Sequence, residues 1–384
     1  MHLFINVLAA SAGSGPTYVR NVVPHYAQRN DVQATFLLRP ELRERLGSYQ
    51  NVSFVEREGP SSAGKRFLYE QRILPGLIRD SKANVLISAG NFALRGSPVP
   101  QILLSGNSLY TSPDFYRDLQ VRHDYKLWLD TRIKAFFARR SVAWADVTVS
   151  PTSAFAQELH QWAGGRVRGI HHGFDRETFF GDATQLPAET AQKLAKTQGT
   201  LRLLFVSHYN YYRNFETLFR GVALLRQRLP ECRVSLLLTC KLRSQDNPGE
   251  YGAESAAALV RQLGIDAEVV ELGAIPYSQL HHVYRASDIY VSAAYAESFA
   301  HPLVEAMASG LPVVASDLAV HREVCGDGAT YFSRFSPEEF SVRIGEISAN
   351  PNQAAEISRN GLLQAERYSW ARHVSELISL AGSL

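Results

Sequence analysis

Short runs of aliphatic and β-branched residues punctuate this chain, and between them lie stretches long enough for a helix. LFINVLAA is followed by the turn SAGSG and by the helical PTYVRNVVPHYAQR. Further strands are predicted at ATFLL, NVSFV, ANVLIS, PQILLS and DVTVS, with helices over about Lys65–Asp80 and Pro113–Ala143. Such alternation leaves few folds open. Parallel neighbours need a long crossover, usually a helix, so the pattern predicts a doubly wound parallel sheet. The pattern is interrupted once. After VRGIHHGFDRETFF the composition turns polar over GDATQLPAETAQKLAKTQGT, which reads as a linker. A second series then begins with LRLLFVSH and continues through CRVSLLLT, AEVVEL, DIYVSA and PVVAS. The expected class is α/β, with Rossmann-like domains over 1–180 and 201–367 and a linker over 181–200.

A chain of 384 residues is long enough for two or three domains, each able to bury a full core. No run approaches eighteen apolar residues, so no spanning helix is expected. The opening MHLFINVLAASAGSGPTYVR lacks a basic start and turns at glycines, which favours a buried first strand over a signal peptide. Cys232, Cys240 and Cys325 are odd in number and scattered, giving neither a disulfide framework nor a metal-ligand spacing. A reducing, cytoplasmic setting is therefore expected. Residues 1–180 hold 22 Lys and Arg against 15 Asp and Glu, a balance of +7, while the remainder is at −4. A basic first half suits an anionic membrane surface or lipid pyrophosphate, although ordinary variation of surface charge gives the same balance. No nucleic-acid partner is expected.

The most informative stretch is YAESFAHPLVEAMASGLPVVASD, Tyr295 to Asp317. Pro302 suits the first position of a helix and Gly310 with Pro312 ends it, so a helix of roughly two turns is predicted from Pro302 to Ser309. Glu297 precedes that helix and Glu305 is expected in its first turn. Backbone N–H groups near Phe299, Ala300 and His301 would make an anion site. A carboxylate on either side of an anion site suits a molecule with hydroxyls at both ends and phosphate between them, such as a nucleotide sugar. The helix dipole alone also favours a glutamate near a helix start, so the spacing by itself leaves both readings open.

ESFAHPLVEAMASGLPVVASD followed by LAVHREVCGDGATYF closely resembles the donor-binding signature of family 4 glycosyltransferases, retaining enzymes of the GT-B fold. Weaker matches extend the resemblance over most of the chain. It implies two Rossmann-like domains facing across a cleft, the first completed by a C-terminal helix at about 368–384. It implies that Glu297, with Ser298, Phe299, Ala300, His301 and Leu303, holds the donor sugar and that Glu305 holds the ribose. FVSHYNYYRNFETLF resembles the segment that grips the donor diphosphate, which assigns that role to Arg213 and Asn214. Where many members have Gly-Arg, this chain has Ser207-His208, so His208 or Lys241 is the candidate for the second cation. GAIPYSQLHHVYRASD resembles the stretch whose backbone lies against the nucleobase, with Ile275, Pro276 and Tyr277 as candidate contacts.

SAGSG, with Gly13, Ser14 and Gly15, corresponds to the loop facing the diphosphate and acceptor, or is a tight turn only. As a dinucleotide motif it is incomplete, and no acidic residue ends the next strand, which weakens an NAD reading. Gly106-Asn107 stands where many members carry His-Asp. Asn107 is then an orienting group or a polar turn residue, and no side chain there can act as base. In HHGFDRE, Gly173 and Asp175 read as turn formers, and Tyr290 and Tyr295 as packing residues. The resemblance implies a metal-independent retaining hexosyltransferase that needs no cofactor beyond a UDP- or GDP-sugar. The acceptor would be a glycan or lipid-linked hydroxyl, and the enzyme a peripheral one at the inner face of the membrane. The rival readings are a GT-B nucleotide-sugar 2-epimerase and a non-catalytic nucleotide-sugar-binding subunit.

Overall fold

A computed structural model describes residues 1–10, 14–249 and 251–384, with only the backbone of Ser14. The chain divides into two units. The first comprises Met1–Ser112, Tyr125–Gly173 and Ser369–Leu384, the second Pro113–Asp124 and Phe174–Tyr368.

In the first unit the strands are β1 (His2–Asn6), β2 (Gln33–Leu38), β3 (Val52–Glu56), β4 (Val85–Ala89), β5 (Gln101–Leu104), β6 (Val147–Ser150) and β7 (Val167–Gly169). They form one parallel sheet in the order β3-β2-β1-β4-β5-β6-β7. Leu3 and Phe4, neighbours on opposite faces of β1, are both fully buried. Helices cover both faces, which is why this strand reads as a continuous apolar run. The C-terminal helix Trp370–Ala381 joins this core through Trp370, Val374, Leu377 and Ile378. The Tyr18 hydroxyl hydrogen-bonds the ring of His373 in this helix, at 3.0 Å from hydroxyl to Nε2.

The second unit contains β8 (Leu201–Phe205), β9 (Val234–Leu238), β10 (Val269–Glu271), β11 (Ile289–Ser292), β12 (Val313–Ser316) and β13 (Ala329–Phe332). Their order is β10-β9-β8-β11-β12-β13, again all parallel. In each sheet the winding reverses at the centre, at β1/β4 and at β8/β11. Loops leaving the carboxyl ends of such a pair diverge and open a crevice, the usual ligand position of this architecture.

Three expectations change in detail. The helix predicted over Pro113–Ala143 is two, Pro113–Val121 and Tyr125–Trp144, broken where His123 takes a left-handed φ of 56°. The polar linker contains a helix, Ala188–Ala195, that buries Thr190 and Leu194 and ties Lys193 Nζ to the Glu271 carbonyl at 2.8 Å. The strands β7 and β13, three and four residues long at sheet edges, are additional to those predicted.

Candidate active site

In the second unit, β8 and β11 end side by side, and the loops that follow them carry the charged residues of interest. After Phe205 the chain runs through Ser207 and His208 to a 3-10 turn at Tyr211–Arg213. Ser207 is fixed by its N–H to Thr239 Oγ1 at 3.1 Å and by its hydroxyl to the His208 carbonyl at 2.7 Å. Asn214 then takes a left-handed conformation, φ 57° and ψ 52°, before the helix Phe215–Arg228. Asparagine tolerates this region better than most residues. Its amide nitrogen donates to the carbonyls of Ala293 at 3.2 Å and Arg334 at 2.6 Å, and its oxygen accepts from the Thr217 hydroxyl at 2.9 Å. The Asn214 side chain is thus committed to stitching three segments together.

After β11 the chain passes Glu297 and enters the helix His301–Ala308, with Pro302 in its first turn. The residue before that helix, Ala300, sits at φ 69° and ψ 65°. A left-handed alanine costs about 1–3 kcal/mol and persists only where its surroundings hold it. Leu303 is buried, and its N–H returns to the Ala300 carbonyl at 3.0 Å. Phe299 is buried against the rings of His301 and Tyr368, at 4.8 and 5.3 Å, and Ser298 is half-buried.

The two loops meet through an ion pair. Arg213 Nη1 lies 2.7 Å from Glu297 Oε1, with side chains only 17% and 8% exposed. Burial works against the guanidinium charge, but Glu297 and the nearby phenols of Tyr212 and Tyr290 more than offset it, so Arg213 stays charged at any ordinary pH. Burial also pushes the Glu297 carboxyl above the usual carboxylate range, against the pull of Arg213. Burial, reinforced by Arg213, lowers the affinity of His208 for a proton.

Glu305 lies in the second turn of its helix, not the first, and is 5% exposed. The Tyr284 hydroxyl donates to its Oε2 at 2.8 Å. Burial pushes the carboxyl up to about 7, with that hydrogen bond pulling the other way. Tyr290, stacked on Tyr284 at 5.7 Å, is within electrostatic reach of Arg213, Glu305 and Glu297.

Several buried polar atoms around the Arg213 loop find no hydrogen-bond partner among the described residues: Arg213 Nε, Asn210 Oδ1 and His321 Nε2. Native interiors leave few such atoms, and each of these keeps hydrogen-bonding capacity for a polar ligand. His321 escaped the sequence reading. It is fully buried, holds the Ser316 carbonyl through Nδ1 at 2.8 Å and feels the charge of Arg213, while burial lowers its pKa to about 4. A lone histidine in the apolar run LAVHREV was its only signal.

The remaining candidates are spread more widely. Lys241 is half-buried, with its stem beside Gly273 and its charge felt by Glu189. Ile275 is half-buried, and Tyr277 opens a short 3-10 turn with its ring 5.3 Å from that of Phe179. In the first unit Gly13 lies outside the described residues, and Ser14 begins the helix Ser14–Ala27. Gly15 has a packing reason, since a Cβ there would come within 2.8 Å of Ala10 Cα. Asn107 caps the turn Ser108–Tyr110, its oxygen accepting from the Leu109 N–H at 3.1 Å. Its own N–H and that of Gly106 converge on Asn91 Oδ1 at 3.1 and 2.9 Å.

Comparison with known proteins bears on this arrangement. Residues 188–364 match the family model described as glycosyl transferases group 1. The D-inositol 3-phosphate glycosyltransferase 2 of Catenulispora acidiphila is 27% identical over 232 residues, 59% of this chain and 53% of that protein. The putative glycosyltransferase EpsD of Bacillus subtilis is 25% identical over 238 residues, 61% of this chain and 59% of its own length. The chain thus spans about half the length of the curated relatives it matches. Among solved structures, sucrose-phosphate synthase from Thermosynechococcus elongatus is similar with a TM-score of 0.76 at 16% identity, covering 100% of this chain and 98% of that one. HepE of Anabaena, in complex with UDP-glucose, is similar with a TM-score of 0.71 at 16% identity over the whole of both chains. The fold is that of the GT-B glycosyltransferases, and residues 188–364 are similar to the glycosyl transferases group 1.

Proposed function

We propose that this chain is a retaining, metal-independent hexosyltransferase of family 4, taking its sugar from a UDP- or GDP-sugar. The observation that carries the reading is the buried Arg213–Glu297 pair where β8 and β11 end, with Arg213 Nε left without a partner among the described residues. A guanidinium with a free N–H and a neighbouring carboxylate supplies a donor for diphosphate oxygens and an acceptor for sugar hydroxyls. A structure of the same fold holds UDP-glucose, which supports a donor of that class. Glu305, with the Tyr284 hydroxyl, would take the ribose. Leaving-group charge develops on the diphosphate, so preorganised donors there lower the barrier. The donor phosphate would receive the acceptor proton, and no protein base is required. The second cationic role falls to His208 or Lys241.

The test is a thermal-shift screen against UDP- and GDP-sugars, followed by NMR of the transfer product. One nucleotide series should stabilise the protein, by about 2.7 kcal/mol at a hundred times its dissociation constant. The product should keep the donor's anomeric configuration. Inversion would defeat the retaining mechanism, and binding without transfer would favour a donor-binding subunit.

The acceptor is proposed to be a glycan or lipid-linked hydroxyl, met at the cytoplasmic face of a membrane. No helix among the described residues is long and apolar enough to span a bilayer. Support for surface contact comes from the helix Tyr125–Trp144, which is packed inside out. Its small residues Thr131, Ala135, Ala138 and Ser141 face inward, while Tyr125, Leu129, Ile133 and Phe136 are all more than half exposed. Lys126, Arg132, Arg139 and Arg140 are exposed around them, and Trp128 is half-buried. An apolar stripe rimmed by cations fits an anionic bilayer interface. At low salt the protein should sediment with anionic vesicles and not with neutral ones, and Phe136→Ser with Leu129→Ser should abolish this. Equal sedimentation with both vesicle types would overturn the membrane contact.

A further inference from the structure

The helix Pro113–Val121 comes from the first half of the sequence, yet it packs within the second unit. Its contacts fall on the segments that bear the proposed site. The Tyr295 hydroxyl donates to Asp118 Oδ2 at 2.7 Å. Asp118 is itself oriented by Arg122, whose Nε reaches Oδ1 at 2.8 Å. Arg122 also pairs with Glu216 at 2.5 Å and lies 4.2 Å over the ring of Tyr211. At the other end of the helix Asp114 pairs with Arg334 at 2.6 Å.

Tyr295 is the centre of this arrangement. It is 6% exposed and stands two residues before Glu297. Its N–H donates to the Tyr212 carbonyl at 2.9 Å, one residue before Arg213. The backbone of Tyr295 therefore sets the register between the two loops that form the Arg213–Glu297 pair. Its side chain is held from the far end by Asp118. A loop tied at only one of these points has rotational freedom that would carry the Glu297 carboxylate away from Arg213.

We propose that Asp118, acting through the Tyr295 hydroxyl, is a positioning residue for Glu297. The role rests on the transfer reading given above. Tyr295→Phe removes one hydrogen bond and keeps the ring that packs the site. A misplaced catalytic group costs rate more than affinity, so the expected loss is about tenfold in kcat with donor KM within about twofold. Asp118→Ala should match it. Asp118→Asn, which still offers an oxygen to the tyrosine, should recover part of the rate.

A double-mutant cycle separates positioning from general support of the fold. In a Glu297→Gln background, Tyr295→Phe should change kcat by less than about twofold, because the group it positions is already gone. A full tenfold loss in both backgrounds, or no loss in either, would overturn the proposal. A crystal structure of Tyr295→Phe supplies a readout that needs no activity. The Glu297 carboxylate should be displaced from Arg213, and an unmoved ion pair would overturn the proposal. If the wild-type chain transfers no sugar while the variant structure shows the displacement, the transfer reading fails and the positioning relation stands.

Discussion

Arg213→Ala is expected to slow sugar transfer by about a hundredfold or more, the scale seen when one preorganised donor to a developing anion is removed. The structure adds a second consequence. Arg213 is the partner of a carboxylate whose side chain is only 8% exposed. Removing the cation leaves Glu297 buried and unpaired, which costs about 3–5 kcal/mol of stability when the orphaned charge cannot be relieved. Burial has already raised the affinity of Glu297 for a proton, so part of that cost should be relieved by protonation below neutral pH. Steady-state kinetics and urea denaturation separate the two effects. Adding Glu297→Gln to Arg213→Ala should restore most of the lost stability and none of the lost rate. A double variant that regains both would show that Arg213 serves only the fold.

Glu305→Ala should weaken binding of the nucleoside diphosphate as well as of the nucleotide sugar, because the ribose is common to both. Hydrogen bonds to a charged group contribute about 1.5–3 kcal/mol, which corresponds to an affinity loss between roughly tenfold and 150-fold. Calorimetry with the diphosphate alone decides this, and unchanged affinity would remove Glu305 from the ribose site. The buried position of Glu305 gives a further signature. Its carboxyl is pushed up to about 7, above its value in an unfolded chain. The fold then disfavours the ionised form, so this group lowers stability progressively as pH rises from about 4.5 to about 7, by on the order of 3 kcal/mol. Ligand binding should run the other way. Ribose hydroxyls donate to the carboxylate, so affinity should rise through pH 7 and flatten above it. Glu305→Gln should remove both slopes, and comparing it with wild type cancels the titration of the diphosphate itself.

Much of this architecture could be read from the sequence because parallel strands buried on both faces leave continuous apolar runs. LFIN and SLLL are such runs, and both lie fully inside their sheets. The edge strand Val167–Gly169 does not leave that trace, since Arg168 interrupts its three residues, whereas the equally short edge strand Val269–Glu271 shows within AEVVEL. The break at His123 was hidden for a different reason: no glycine or proline marks it, and the left-handed turn is held by N–H groups of His123 and Asp124 bonding back to Gln120 and Leu119. At the candidate site, residue type and loop position pointed to Arg213, Glu297 and Glu305. Their partners were not legible. That Glu297 meets Arg213, or that Tyr295 meets Asp118 at a separation of 177 residues, is a product of the folded chain and not of any local pattern. Tyr295 read as a packing residue because a tyrosine's ring signals burial and its hydroxyl gives no sign of whom it will bond.

The membership of the Pro113–Val121 helix limits how this protein can be recombined. Cut out as one continuous stretch, residues 174–368 would lose the carboxylates facing Tyr295 and Arg334 and the guanidinium facing Glu216. Exchange of the second unit between relatives therefore needs two inserts, one of them only about a dozen residues long, and a chimera joined at a single crossover would inherit a mismatched helix against foreign loops. Gene shuffling that treats the two halves as cassettes should yield stable but slow hybrids, and restoring the native 113–124 segment should be the shortest route to recovering their rate.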